Sequence, residues 1–235
     1  MGRFVGLVLA QRYFGNPFRP ATSFSDIGGG ERSVFGDATY KTNEKKAWKP
    51  FEVDTIDPAF ENLPVLKKAE FSYGPNEKPR QLVDLDKRIR QSDAIVVVSP
   101  EYNHAPGPAL LNFIDHFGGS AYANKPSCIV TYSAGQWGGV RAAMQLRPIL
   151  SEMGCLPVSA MLHFPKAQDV FTESGFVVDE KGDGEAERRM MAYVNRAFFQ
   201  LWWWAEAARY MRSRIDPAIG SPAFVRDPSQ RDGPS

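Results

Sequence analysis

Ile95, Val96, Val97 and Val98 follow one another without a polar interruption in the stretch DAIVVVSP, residues 93–100. Branching at Cβ disfavours a helix and suits an extended chain. A strand wetted on one face alternates apolar with polar residues, and this one does not. It is therefore predicted to be buried on both faces, as strands are in a parallel sheet with helices on either side. A second run of the same kind, SCIVTYS, occupies 127–133. Phe51 to Asp57 (FEVDTID) alternates and reads as a strand, and CLPVSAMLHF supplies another that ends at Pro165. Helical patterns fall between them. Pro79–Ser92 puts Leu82, Leu85 and Ile89 inward, and Ala109–Phe117 and Val140–Met153 follow. Ala186–Arg214 opens with acids and closes with arginines, as a helix dipole favours. This rhythm of strand and helix predicts an α/β fold with a doubly wound parallel sheet.

Composition narrows the partners. The formal net charge of the 235 residues is +1, so no field favours nucleic acid or an acidic membrane. No apolar run reaches the roughly 18 residues that a spanning helix requires. Two cysteines, Cys128 and Cys155, lie in or beside apolar stretches and are expected to be reduced, buried thiols in a cytoplasmic setting. The opening MGRFVGLVLAQRYF has an early Arg and a short apolar run but no small-residue cleavage site. Phe4, Leu7 and Val8 recur at helical spacing, so residues 1–14 are expected to form a first helix. Residues 15–50 are rich in Gly, Pro, Ser, Thr and Lys without any period and are expected to be a disordered insertion. A single domain is expected over 51–214, followed by a disordered tail over 215–235.

In an open α/β sheet, ligands sit outside the carboxyl ends of the strands. Two loops occupy such ends: Pro100–Pro108 and Ser133–Gly139. In the first, Tyr102, Asn103 and His104 offer an aromatic face, an amide and an imidazole. The same residues equally suit a plain crossover whose Asn caps the next helix. In the second, YSAGQWGG, Gly135, Gly138 and Gly139 permit positive φ and let a flat ligand approach the backbone. Tight strand-to-helix turns can look alike, so the occurrence of both loops on successive strands is the stronger signal. His104, His116 and His163 have no metal-site spacing. Ser133 is no nucleophile elbow, because Thr131 stands where glycine is required. LWWWAEAARYMR could be an aromatic platform, or could pack its tryptophans on the sheet or a partner subunit.

The stretches SPEYNHAPGPALLNFIDHF and KPSCIVTYSAGQWGGVRAAMQLRPILSEMGCLPVS resemble the NADPH-dependent FMN reductase family of flavodoxin-like proteins. Leu111 stands where that family usually has Lys, and the likeness runs from about Phe51 to Arg212. The resemblance implies a flavodoxin-like, three-layer α/β/α sheet that holds FMN at its strand ends, with NADPH or NADH as electron donor. No side chain is then the catalyst, because the flavin carries the chemistry. The acceptor would be a small molecule such as a flavin, quinone, azo compound or metal oxyanion. Pro100, Glu101, Tyr102, Asn103 and His104 would support the flavin ring, with Glu101 orienting the loop rather than acting as an acid. Ser133, Ala134, Gly135, Gln136, Gly138 and Gly139 would line its edges. The opening MGRFVGLVLAQ resembles the Gly-Arg-x-Gly start of the family's first helix, which makes Arg3 a cofactor-binding candidate. The resemblance then implies that the first strand and most of the phosphate-binding Gly-Ser-x-Arg loop are missing. On that footing the alternative is a truncated relative with impaired FMN binding, acting as a binding or regulatory protein. The resemblance also implies a homodimer or homotetramer.

Overall fold

The computed structural model describes residues 3–8, 52–74, 76–173 and 175–219. Strand β1 is Arg3–Val8 and β2 is Glu52–Ile56, followed by a short helix α1 (Pro58–Glu61) and α2 (Arg80–Gln91). Strand β3 runs Ala94–Tyr102, folds back through β4 (Ala105–Pro106), and leads into α3 (Pro108–Asp115) and α4 (Gly119–Tyr122). Then come β5 (Pro126–Tyr132), α5 (Val140–Glu152), β6 (Leu156–Pro157), β7 (Leu162–Phe164), α6 (Ala167–Val170) and α7 (Glu185–Arg212). The parallel sheet has the order β2-β1-β3-β5-β6, and β7 also pairs with β5, two residues of the edge giving way to three further along. This is the flavodoxin-like order.

The first strand is therefore present, and the expected helix over 1–14 is not found at Arg3–Val8. Those residues pair in parallel with β2 on one side (Phe4 with Val53) and β3 on the other (Phe4 with Ala94). So short an apolar run fits the helical period by accident, and an interior strand of a parallel sheet covered on both faces carries no alternation to betray it. Residues 9–50, including the expected disordered insertion, lie outside the described residues, as does the tail from 220. Just before that tail, Pro217–Ile219 forms a 3₁₀ turn where only disorder was expected.

Side chains alternate across the sheet into two cores. Ile95, Val97 and Ile129 join Leu82, Leu85 and Ile89 of α2, Leu110, Phe113 and Ile114 of α3, and Leu146 and Leu150 of α5. Val96, Val98, Cys128 and Val130 point the other way, onto Ala197, Leu201 and Ala205 of α7. The three layers follow from the uninterrupted apolar runs, since each run must cover both faces. Arg88 on α2 grips the edge strand through Asp54, with Nε–Oδ2 at 2.9 Å and Nη2–Oδ1 at 2.6 Å. Arg212 ties the end of α7 to Asp93 at 2.7 Å. Both cysteines are free and buried, and burial pushes each thiol up to about 12. Among the described residues no helix is long and apolar enough to cross a membrane.

At the amino end of β5, Lys125 is 5% exposed and donates to the carbonyl oxygens of Ala121 (2.9 Å) and Ile89. Burial lowers its pKa to about 7, with Arg212 and Arg90 adding to the effect and Cys155 and Asp93 opposing it. A folded pKa below the unfolded one means that the unfolded chain binds the extra proton, so stability rises with pH above about 7. We expect the parent to gain about 1 kcal/mol relative to Lys125→Met between roughly pH 7 and pH 8. Urea midpoints of both proteins across that window test it, and parallel curves would refute a depressed Lys125.

Candidate functional site

The carboxyl ends of β3 and β5 lie side by side, with Pro100 in register with Tyr132. Beyond them, β3 turns back on itself. Glu101 pairs with Pro106 and Tyr102 with Ala105, leaving Asn103 and His104 as a two-residue hairpin turn. Both have positive φ, 50° and 66°, as a type I′ turn requires, and asparagine tolerates that conformation better than most residues. Asn103 thus neither caps α3, whose N-cap is Gly107, nor lines the cavity described below. Buried Ser99 closes the hairpin's base, accepting from Gly107 N–H at 2.9 Å and donating to Pro100 O at 2.8 Å. Gln145 of α5 braces the tip by donating to His104 O at 2.6 Å.

The second loop is pinned from beneath. Gly138 and Gly139 have φ of 61° and 83°, and a Cβ on either would fall within 3.0 Å of neighbouring atoms: Pro165 N for the first, Thr131 for the second. These two glycines serve contact with β5 and with the end of β7, not approach of a ligand. Thr131 Oγ1 donates to Gly138 O at 2.9 Å, and its one proton is thereby spent. The 2.8 Å contact from His163 Nδ1 to the same hydroxyl must then be a donated N–H, which fixes the imidazole tautomer. Burial lowers the pKa of His163. Gly135 differs, since nothing stands within 4 Å of a Cβ built there.

Between the two loops is a cavity of about 370 Å³, lined by Pro100, Glu101, Tyr102, His104, Tyr132, Ser133, Ala134, Gly135, Trp137 and Arg141. Seven of the expected site residues meet there. Gln136 is exposed on the same loop but does not line the cavity. Arg3 opens β1 in register with Glu52, and Val8 at the carboxyl end is about 16 Å further along the strand, so the Arg3 backbone lies at the opposite end of the sheet from the cavity. Resemblance to a helix opening misplaced it, because the residue belongs to a strand.

Glu101 explains how the loops are held together. Its Oε2 accepts from the backbone N–H of Arg141 and of Ala142, each at 3.0 Å. These are orphan donors in the first turn of α5, whose own N-cap, Gly139, has no side chain to offer. A carboxylate at a helix N-terminus is also favoured by the dipole. The charge is committed to the scaffold, as expected of a residue that orients rather than protonates.

Three lining residues escaped the sequence reading: Tyr132, Trp137 and Arg141. Trp137 sits inside the Ser133–Gly139 loop, whose glycines are the stronger signal in sequence. Arg141 lies at the second position of α5, on the turn that carries the loop. Its guanidinium lies over the Trp137 ring, 5.5 Å from the centroid. Burial raises the pKa of Tyr132, so its phenol stays protonated.

The residues present fit the ring of a flavin. The volume is in the range of small-ligand sites, and Tyr102 and Trp137 provide aromatic walls. The backbone N–H groups of Ala134, Gly135 and Gln136 find no acceptor among the described residues, leaving a row of donors at a strand end.

Comparison with known proteins agrees with this geometry. A cinnamate reductase subunit of Vibrio ruber, NADH:(hydroxy)cinnamate reductase subunit CrdA, is 30% identical over 139 residues, 57% of this chain and 66% of that protein. An NAD(P)H-dependent FMN reductase of Pseudomonas aeruginosa is 29% identical over 120 residues, 49% of this chain and 62% of its own. The chain thus spans just under two thirds of the length of these relatives. A flavoenzyme NAD(P)H:(acceptor) oxidoreductase of Paracoccus denitrificans, FerB, has the same fold at a TM-score of 0.53 and 17% identity, covering 84% of this chain and 97% of that one. The family model for NADPH-dependent FMN reductases matches residues 35–169, more than half of the sequence and both loops of the site. The chain belongs to the NADPH-dependent FMN reductase family.

Proposed function

We propose that the chain holds FMN with its ring in the cavity between the β3 hairpin and the Ser133–Trp137 loop, and uses NADPH or NADH to reduce a small acceptor. A flavin, a quinone or an azo compound is the class of acceptor meant. The observation that carries this reading is the cavity itself, a strand-end site with aromatic walls and unspent backbone donors. The chemistry FMN supplies when bound is uptake of hydride from a nicotinamide and delivery of electrons to an acceptor. The chain's own residues bind and orient. Ala134, Gly135 and Gln136 offer N–H groups to ring carbonyls, while Tyr102 and Trp137 flank a flat ligand and exclude water. Tyr132, kept protonated by burial, carries no charge into the cavity. Glu101 sets the distance between the two loops through α5.

The alternative of a truncated, cofactor-poor relative rested on a missing first strand and phosphate loop. β1 is seated between β2 and β3, which removes the first of those grounds. Two buried free thiols suit a reducing compartment such as the cytoplasm. Assembly into a homodimer or homotetramer is part of the same proposal, because α7 leaves Trp203 and Trp204 55% and 46% exposed beside Tyr210 and Met211.

Size-exclusion chromatography with in-line absorbance and light scattering tests both parts. The expected species carries visible flavin absorbance at a dimer or tetramer mass and oxidises NADPH or NADH when a quinone is added. A colourless protein that takes up no added FMN overturns the cofactor assignment, and a monomer mass at micromolar concentration overturns the assembly.

A further inference from the structure

Several arginines in this fold spend their donors on the scaffold. Arg88 serves Asp54 and Glu61, Arg90 serves Asp86 and Ser120, and Arg212 serves Asp93 and the carbonyl of Asn124. Arg141 does not. Its side chain is 42% exposed at the lip of the cavity, and among the described residues its guanidinium makes no hydrogen bond. The carboxylate within ion-pair reach, Glu101, stands 3.9 Å away, and its other oxygen is taken by two α5 amides. The guanidinium instead rests over Trp137. Stacking on an aromatic face orients the planar fork and leaves its N–H edge free. Of the two side chains in the lining that are charged at neutral pH, the carboxylate is thus consumed by the helix terminus and the guanidinium is left facing a flat, aromatic-walled space.

We propose that Arg141, braced on Trp137, recognises an anionic group on the molecules that enter the cavity, so that the site favours flat substrates bearing a phosphate, carboxylate or sulfonate. This rests on the reading of the cavity as the reductase site. Two sources share that chemistry: the extra phosphate of NADPH, and an acid group on the electron acceptor. A planar guanidinium suits either, because both present paired oxygens.

The test compares the flavin-loaded parent with Arg141→Gln and Arg141→Lys, after near-identical circular dichroism has shown that each folds. Calorimetric titration with naphthalene-2-sulfonate and with 2-naphthol reads recognition without turnover. Arg141→Gln is expected to lower the affinity ratio of sulfonate to naphthol about ten-fold, and Arg141→Lys to restore part of it. An unchanged ratio in Arg141→Gln overturns the proposal. Steady-state kinetics then assigns the source. A selective rise in the KM of NADPH over that of NADH identifies the reductant's phosphate, and a selective rise for a naphthoquinone sulfonate over naphthoquinone identifies the acceptor. Failure of the underlying reductase reading shows separately, as a parent that takes up no flavin and oxidises no nicotinamide.

Discussion

Gly139→Val is expected to destabilise the protein by about 3 to 5 kcal/mol, the largest effect of any single change in the site. Two causes add. Gly139 has φ of 83°, a left-handed conformation that a β-branched residue adopts only under strain. Its Cβ would also stand 2.6 Å from Thr131 Cβ and 2.9 Å from Thr131 Oγ1, and Thr131 is buried in β5 and cannot retreat. Displacing it would break the hydrogen bond to Gly138 O that pins the loop. Gly135→Ala is the internal control. Space is open around it, so its stability should stay within about 0.5 kcal/mol of the parent while the new methyl intrudes beside the cavity and weakens FMN. Urea unfolding of the two variants checks the contrast. Equal midpoints for parent and Gly139→Val would mean that the loop does not lie on β5 as described.

Removal of the Glu101 carboxylate is expected to have the second-largest effect. Glu101→Ala strips two charge-assisted hydrogen bonds from the first turn of α5, exposes two orphan N–H groups and costs about 2 to 3 kcal/mol. Glu101→Gln keeps an oxygen acceptor and loses only the charge facing the helix dipole, so about 1 kcal/mol is expected. Because Glu101 joins the β3 hairpin to α5 while lining the cavity, FMN affinity should fall in the same order, Ala more than Gln. Chemical unfolding together with flavin titration measures both. A Glu101→Ala protein as stable as the parent would refute the cap, and equal FMN affinity in all three would separate the cap from the site.

Much of this was legible in advance because the signals were local. The β-branched runs of β3 and β5 must be buried on both faces whatever surrounds them, and Leu82, Leu85 and Ile89 must share one face of any helix. The two loops could be singled out because prolines, glycines and polar residues at a strand end are costly unless they hold something. Trp137 and Arg141 were not legible as site residues. An exposed tryptophan and a helix-surface arginine are ordinary in sequence, and only their shared cavity makes them otherwise.

The sequence by itself determined the layered α/β class, the helix faces and the region of the site, because each depends on periodicity and on backbone preferences carried by neighbouring residues. Tertiary structure alone decided the rest. Arg3–Val8 becomes an interior strand only because β2 and β3 bond to its two edges, and a six-residue run has no period long enough to announce that. Glu101 becomes a helix cap only because α5, whose Arg141 lies 40 positions on from it, starts at the mouth of the adjacent strand. Gly138 and Gly139 are required by Pro165 and Thr131, neighbours that appear only once β5 and β7 are paired. Pairing across distance in the chain depends on which surfaces meet, and that is set by the packing of the whole sheet.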